Sequence, residues 1–516
     1  MTKKPNANRW QTGIAAVHRF MSTQRFFTII LVIFVVQAVW MACSAAYPMA
    51  FDESYHYGII EIYAQQLSPI LTSQPANPGQ YGELIHDPSY LYHYLMSFPY
   101  RIIMTVVHIH DVGVFCIRLI DIALFALGLV LFRKLLLRVG VSKAMVHAVL
   151  FVIVLLPVTP FLAGQVNYDN MLFCVVPLFL LYTFAIIDSL KKQKKVSARD
   201  LILFLSVGML GCLVKYAFAP IFAVTVIYML LFWLSKKDYR KVAVRSTIAS
   251  FQALNRRAQI GLVIFLVVST GLFLQRYGYN AVVYHSIEPD CAKVLSVKQC
   301  LQYGPWARNY KLNQTAQTGT SDHDDAGKNI VEFTASWVHD LVYRLYFSIN
   351  YDFKEYAPMP VPYTMAFVFG DIGLVLTVLF LPVLWRKYKY IRLFICVILA
   401  YCFSLFSVNY VEYQRFNTAV AINGRYLLPL LPLLLVIFAL AYREFLTRIA
   451  RQHAVAVCVV LFIVVGLGSL YGGGTMTYII NSQPVWYWGN GLDPITGFNT
   501  WVRDVARHLV IGAPTN

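Results

Sequence analysis

Apolar stretches near the length of a membrane-crossing helix recur along this chain from residue 26 to residue 471, and that recurrence limits its fold more than any other feature. A helix needs about 20 apolar residues to cross a bilayer. In lipid, every backbone polar group must be satisfied internally, which helices achieve one segment at a time. Composition agrees: 58% of the 516 residues are hydrophobic and only 13% are charged, where a soluble protein carries about 25% charged residues. The sequence therefore predicts an all-α polytopic membrane protein. Its first apolar stretch, 26–46, exceeds the roughly 7–15 residues of a cleavable signal core, and reads as a permanent span.

The net charge of +18 would suit a nucleic-acid partner if the basic residues shared one surface. They do not. They fall in short clusters between apolar runs: Arg133, Lys134 and Arg138; Lys191, Lys192, Lys194 and Lys195; Lys236, Lys237, Arg240 and Lys241; Arg386, Lys387, Lys389 and Arg392; Arg443, Arg448 and Arg451. That is the positive-inside pattern of cytoplasmic loops, and no nucleic-acid partner is expected. With these clusters inside, a cytoplasmic N-terminus (1–25) precedes spans near 26–46, 113–132, 144–163, 170–188, 200–214, 217–234, 259–275, 363–385, 393–409, 425–442 and 454–471, about 11 in all. They form an N-terminal membrane module (26–275) and a C-terminal one (363–471), with long extracytoplasmic segments at 47–112, 276–362 and 472–516. The apolar run 200–234 is too long for one crossing: as a single helix it would measure about 52 Å, against a hydrocarbon core of about 30 Å. Two helices broken near Lys215 keep the flanking basic clusters on one side.

The long outer segments point to chemistry on that face. Cys291 and Cys300 lie nine residues apart in one of them, a spacing compatible with a disulfide in an oxidising compartment. The other cysteines lie in or beside spans and read as packing residues. No zinc-ligand spacing is present.

The first outer segment opens Phe51-Asp52-Glu53-Ser54-Tyr55-His56 and continues to His86-Asp87-Pro88. A carboxylate near a low-dielectric boundary is a candidate general base. The plainer reading is a solvated loop in which Asp52 or Ser54 caps a helix. Arg118 and Asp121, three residues apart, share a helix face and read first as an intramembrane ion pair. Arg118 also lies close enough to the outer surface to reach a donor phosphate. Tyr487 and Trp488, with Trp486, read as an interfacial aromatic belt before a sugar-stacking platform.

Several of these motifs together resemble GT-C fold glycosyltransferases. Phe51-Asp52-Glu53-x-x-His56 after the first span is similar to the protein O-mannosyltransferases and lipid A aminoarabinose transferases. His86-Asp87-Pro88 stands where those families carry His-Pro-Pro. Gln165-Val166-Asn167-Tyr168-Asp169-Asn170 resembles their Asn-x-Asp segment, Leu213-Val214-Lys215-Tyr216 a Leu-Thr-Lys segment, and Gly424-Arg425-Tyr426 a Gly-Arg-Tyr segment before a late span. The last three also resemble an uncharacterised bacterial branch of that superfamily. The resemblance covers about residues 26–442. It implies a GT-C-like architecture and a sugar donor carried on a polyprenyl phosphate. Transfer to a glycan, lipid or protein acceptor would then occur at the extracytoplasmic face of the cell membrane.

Under that reading Asp52 and Glu53 are the catalytic candidates. Lys215, Arg425 and Arg118 are the candidates for the donor phosphate, since cations there stabilise the charge that develops on the leaving group. His56, His86, Asp87, Asn167, Asp169 and Tyr426 are the substrate-binding candidates. No cofactor is required; a divalent metal is compatible with the scheme. A transporter or lipid-glycan flippase is the competing class, and would favour ionisable groups at mid-membrane and internal repeats. The topology is checked by labelling single-cysteine variants: positions near 80, 310 and 490 should react from outside, and positions near 193 and 240 from inside. Opposite faces for 193 and 240 would remove the break at Lys215.

Overall fold

The structure, a computed structural model, describes residues 9–49, 51–75, 79–193, 195–235, 237–318, 329–346, 361–450, 453–472, 487–488 and 493–511. Trp486, Lys194, Lys236 and Arg451 lie outside the described residues. A short helix, α1 (Arg9–Met21), leads into α2 (Gln24–Ser44), whose first turn is capped by the Thr23 hydroxyl. The first long segment folds as α3 (Glu53–Ala64) and α4 (Leu91–Val107). Then come α5 (His110–Arg138), α6 (Lys143–Leu155), α7 (Val158–Ala163), α8 (Tyr168–Gln193) and α9 (Ala198–Val214). They are followed by α10 (Ala219–Leu234), α11 (Lys237–Gln252) and α12 (Arg256–Phe273). A π-turn, Leu274–Gly278, carries α12 into α13 (Tyr279–Val283).

The second long segment holds α14 (Cys291–Val294), α15 (Val297–Cys300), α16 (Gly304–Thr318) and α17 (Ile330–Tyr346). The chain finishes with α18 (Val361–Lys387), α19 (Ile391–Phe416), α20 (Leu431–Ala450), α21 (Ala454–Gly472) and α22 (Asp493–Ile511). Among the described residues there is no strand; an isolated bridge pairs Ala45 with Tyr487.

The protein is thus an all-α, multi-pass membrane protein. Seven helical stretches among the described residues are long and apolar enough to cross a bilayer, beginning at Gln24, His110, Tyr168, Tyr216, Arg256, Val368 and Ile391. The remaining expected segments are also helical, but shorter or less apolar. The expected span 144–163 is two helices. Pro157 has no N–H to donate, and Leu156 before it is extended (φ −64°, ψ 133°), as the residue preceding a proline prefers. The expected span starting at 425 begins instead at Leu431, and Arg425 sits before it in the 3₁₀ turn Gly424–Leu427. The break at Lys215 is present. Helix α9 stops at Val214, Lys215 is extended (φ −155°, ψ 127°), and a 3₁₀ turn (Tyr216–Phe218) precedes α10.

One continuous apolar core runs from Met21 to Trp488. Within it α5 lies against α8, with Phe125 stacked on Phe173 at 3.9 Å. A side chain at Gly128 would collide with Phe173, so the glycine permits this approach. Helix α6 packs against α2, α20 and α21, so the two expected membrane modules share this core. Outward faces are apolar too: Ile260, Val263, Ile264 and Val267 on α12 are all exposed. They recur at the spacing of one helical stripe.

The basic clusters meet at one end of the bundle. Arg138 pairs with Asp188 at 3.0 Å, and Tyr390 donates to the same carboxylate at 2.7 Å. Lys387 pairs with Glu444 at 2.7 Å. The residues of the candidate site come from the opposite ends of the same helices: the start of α8, the segment after α19, and the turn before α20.

Candidate active site

Glu53, the first residue of α3, is fully buried. Its Oε1 accepts from Arg118 Nε (2.8 Å) and the Val166 amide (3.0 Å). Its Oε2 accepts from Arg118 Nη2 (2.7 Å) and the Met49 amide (2.7 Å). Arg118 Nη1 donates to the carbonyls of Ala42 (3.0 Å) and Ala45 (2.6 Å), and Trp488 covers the guanidinium at 5.1 Å. This two-pronged pair joins the end of α2, the start of α3, the middle of α5 and the segment before α8. It also corrects two sequence expectations. Arg118 pairs with Glu53, not Asp121, and all three of its nitrogens are engaged, so none is left for a donor phosphate. Glu53 has four donors on its two oxygens and is not among the residues that line the cavity described below, so it acts as a positioning residue. Tyr487 and Trp488 are buried in the core rather than forming an interfacial belt.

Asp52 is treated differently by the fold. Phe51 (φ 64°) and Asp52 (φ 67°) both adopt the left-handed backbone conformation, which costs a non-glycine residue on the order of 1–3 kcal/mol. Surrounding bonds hold it. Asn167 Nδ2 donates to the Phe51 carbonyl at 2.9 Å, and Glu53 is fixed one residue on. Asp52 stands at the cap position of α3 but makes no side-chain cap. Its Oδ2 instead accepts from Arg425 Nη2 at 2.8 Å, with the Asp52 side chain 55% exposed and that of Arg425 only 9%. Arg425 Nε and Nη1 have no hydrogen-bond partner. The rings of Phe51 and Tyr426 face its guanidinium at 4.7 and 5.3 Å.

A second chain of contacts supports the same loop. Asp121 accepts from the Tyr92 hydroxyl (2.7 Å) and the Asn167 amide (3.3 Å). Asn167 Oδ1 accepts from the Asp169 amide (2.9 Å), and Asp169 pairs with Lys215 at 2.6 Å. The extended residue at the α9 break thus delivers its ammonium to the start of α8. That ammonium also lies over Tyr168 (4.4 Å) and Tyr426 (5.0 Å). The turn carrying Arg425 is fixed from its other side. A side chain at Gly424 would lie 2.5 Å from the Leu341 carbonyl and 2.6 Å from the Leu345 amide, so the turn rests directly on the backbone of α17.

These elements enclose a cavity of about 790 Å³. Asp52, His56, Asp87, Arg425 and Tyr426 line it, as the sequence leads one to expect of a site. Lys215, Asn167 and Asp169 stand behind Tyr168 and Tyr426, and hold the wall rather than forming it. His86 also lies off the cavity: its ring stacks on Tyr279 at 5.3 Å, and its carbonyl accepts from Asn280. His56 and His93 form a buried stacked pair, Nδ1 to Nε2 2.9 Å. Burial, reinforced by His93 and the charges of Arg425 and Lys215, holds His56 well below the usual imidazole range. Burial takes His93 down to about 3. Both rings are therefore neutral at physiological pH.

The cavity residues that sequence reading missed come largely from two stretches. Glu83 precedes His86, and Glu288, Asp290, Tyr303 and Trp306 flank the Cys291–Cys300 disulfide, which is present. The disulfide and the Glu-Pro-Asp-Cys run beside it were the available signal. Among the described residues no His, Cys, Asp and Glu cluster is arranged to hold a metal ion.

The Glu53–Arg118 pair makes a clear stability prediction. Removing one partner of a buried ion pair costs about 3–5 kcal/mol, so Glu53→Gln and Arg118→Met should each lower the melting temperature and folded yield of the solubilised protein. The Glu53→Leu, Arg118→Met double variant should recover part of the loss. A single variant that melts with the native chain would show that the pair does not anchor this end of the bundle.

A family model described as a predicted membrane protein (DUF2142) matches residues 60–434, beginning after Asp52. No curated protein matches the chain. Among solved structures, the oligosaccharyltransferase of Archaeoglobus fulgidus, in complex with Zn and sulfate, is similar at a TM-score of 0.43 and 14% identity. That alignment covers 92% of this chain and 57% of the other, so the chain spans little more than half of its neighbour's length. With the family match running through most of its length, this chain belongs to the DUF2142 family of predicted membrane proteins.

Proposed function

We propose that this protein is a membrane glycosyltransferase of GT-C type that moves a sugar from a polyprenyl-phosphate donor to an acceptor on the extracytoplasmic side. The observation that carries the reading is the Asp52–Arg425 pair on the cavity wall. A carboxylate is held there by strained backbone beside a nearly buried guanidinium whose Nε and Nη1 are unpartnered. The ordered resemblance of the Asp-Glu, Asn-x-Asp, Lys-Tyr and Gly-Arg-Tyr segments supports it. So does the clustering of basic residues at the opposite end of the bundle, which by the positive-inside rule marks the cytoplasmic side.

In the proposed reaction the acceptor hydroxyl attacks the anomeric carbon. The bond from that carbon to the donor phosphate oxygen breaks, and the lipid phosphate leaves. Asp52 takes the hydroxyl proton. The guanidinium charge of Arg425 stabilises the negative charge that grows on the leaving phosphate, while Nη2 keeps Asp52 in place. Charge-assisted bonds of this sort are strongest in a site shielded from water. With Asp52 acting as base the displacement is single and inverts the anomeric centre; Glu53, the carboxylate adjacent to Asp52, is locked to Arg118 and does not serve as a nucleophile. The scheme requires no cofactor.

Asp52→Asn preserves shape and removes the base. General-base catalysis contributes about 10²–10⁴-fold, so turnover should fall at least a hundredfold while donor binding stays near normal. Near-native turnover, or a product with retained configuration, would refute the role. Arg425→Ala removes a charge-assisted contact worth roughly 1.5–3 kcal/mol. Binding of a polyprenyl-phosphate sugar should weaken at least tenfold, and unchanged affinity would take Arg425 out of the donor site.

A further inference from the structure

Charge is unevenly distributed around the cavity. Arg425 and Arg344 come with the 421–426 turn, where Arg344 donates to the Ile422 carbonyl. A second group of lining residues is acidic: Glu83 and Asp87 from the loop before α4, and Glu288 and Asp290 from the stretch leading into the disulfide. Burial, with Asp87 adding to it, raises Glu83 to about 7, and burial raises Asp87 as well, while Glu288 is exposed at the cavity. The cation acting on Glu83 and Asp87 is Arg276, which is fully buried at the π-turn over the Tyr90 ring and does not line the cavity. Arg308 also lines the cavity as an exposed cation, hydrogen bonded to the neighbouring Asn309 side chain.

Aromatic rings accompany the carboxylates. Tyr55 and Tyr303 lie 5.7 Å apart. Trp306 stacks on Tyr310 at 5.0 Å and donates from Nε1 to Asp290 at 3.3 Å. The disulfide Cys291–Cys300 and the capping box from Ser296 to Gln299 fix the short stretch between Asp290 and Tyr303. The same cavity also holds a cation on another wall: Arg425 lines it, nine-tenths buried and paired with Asp52.

We propose that Glu83, Asp87 and Glu288, with the aromatic wall of Tyr55, Tyr303 and Trp306, form the acceptor subsite, and that it takes a saccharide unit bearing a protonated amine. The proposal rests on the glycosyltransferase reading above. Rings of this kind match the apolar face of a sugar. Carboxylates that repel one another are relieved by a cation and not by a neutral hydroxyl. An anionic acceptor would meet the same carboxylates unfavourably. The arrangement also keeps the two substrates apart: the phosphate goes to Arg425 and the amine to the acidic side, so neither is drawn to the other's place. A cation docked there favours the ionised carboxyls.

The test is calorimetry on the full-length solubilised protein with three probes: a glucosamine tetramer, an N-acetylglucosamine tetramer and cellotetraose. The glucosamine tetramer should bind at least tenfold more tightly than either of the others. Glu288→Gln should remove the preference without lowering the melting temperature. Equal binding of all three, a preference for the acetylated or neutral probe, or a preference indifferent to Glu288→Gln would overturn the proposal. Binding of undecaprenyl phosphate to native and Arg425→Ala protein separates the two readings. Lipid phosphate bound through Arg425 with no amine preference defeats only the acceptor subsite, whereas absence of lipid phosphate binding defeats the glycosyltransferase reading itself.

Discussion

The buried pair of Glu53 and Arg118 is the constraint on which the rest of the site depends. Two opposite charges at 2.7 Å with no exposure survive only if their remaining hydrogen-bonding capacity is filled. Here it is filled by the backbone of Met49, Val166, Ala42 and Ala45. Those four residues belong to the parts of the chain that must converge for Asp52 to sit on the cavity wall. The pair therefore acts as a fastener. Its own net contribution to stability is modest, but it leaves the preceding residues little freedom except the left-handed turn that presents Asp52.

From that fastener a line of polar contacts runs outward through Asn167 and Asp169 to Lys215 and the ring of Tyr426. Each step satisfies a buried group, as the low dielectric demands. The break between α9 and α10 becomes intelligible in this light. A continuous helix would carry Lys215 past Asp169, whereas an extended residue stops it there. The same physics explains why so many conspicuous sequence motifs turned out to lie one layer behind the cavity. Buried polar residues in a membrane bundle stand out in sequence whether they touch substrate or hold a wall.

The sequence disclosed the architecture through simple arithmetic. Helix length against bilayer thickness located the break at Lys215, and the distribution of basic residues anticipated the cluster around Asp188 and Glu444. Asp52 and Arg425 were legible because they lie near predicted span ends, and His56, Asp87 and Tyr426 because they belong to the motifs that carry the resemblance. Partnerships were not. Asp121 is one helical turn from Arg118 and was the natural partner to assume, yet the carboxylate that pairs with Arg118 comes from a different element, and local spacing carries no trace of it. Glu83 and Glu288 were missed for the same reason. Each looks like an ordinary surface acid, and only the tertiary fold brings both to one cavity.

The contact at Gly424 has a mechanical consequence. The turn bearing Arg425 lies against the backbone of α17 with no side chain between them, and Arg344 grips the Ile422 carbonyl from the same helix. Backbone pressed on backbone has almost no compliance, because there is no rotamer to absorb a displacement. Helix α17 and the turn that carries Arg425 are therefore coupled. A displacement of the segment that contains α17 would shift the backbone from which Arg425 reaches the carboxylate of Asp52.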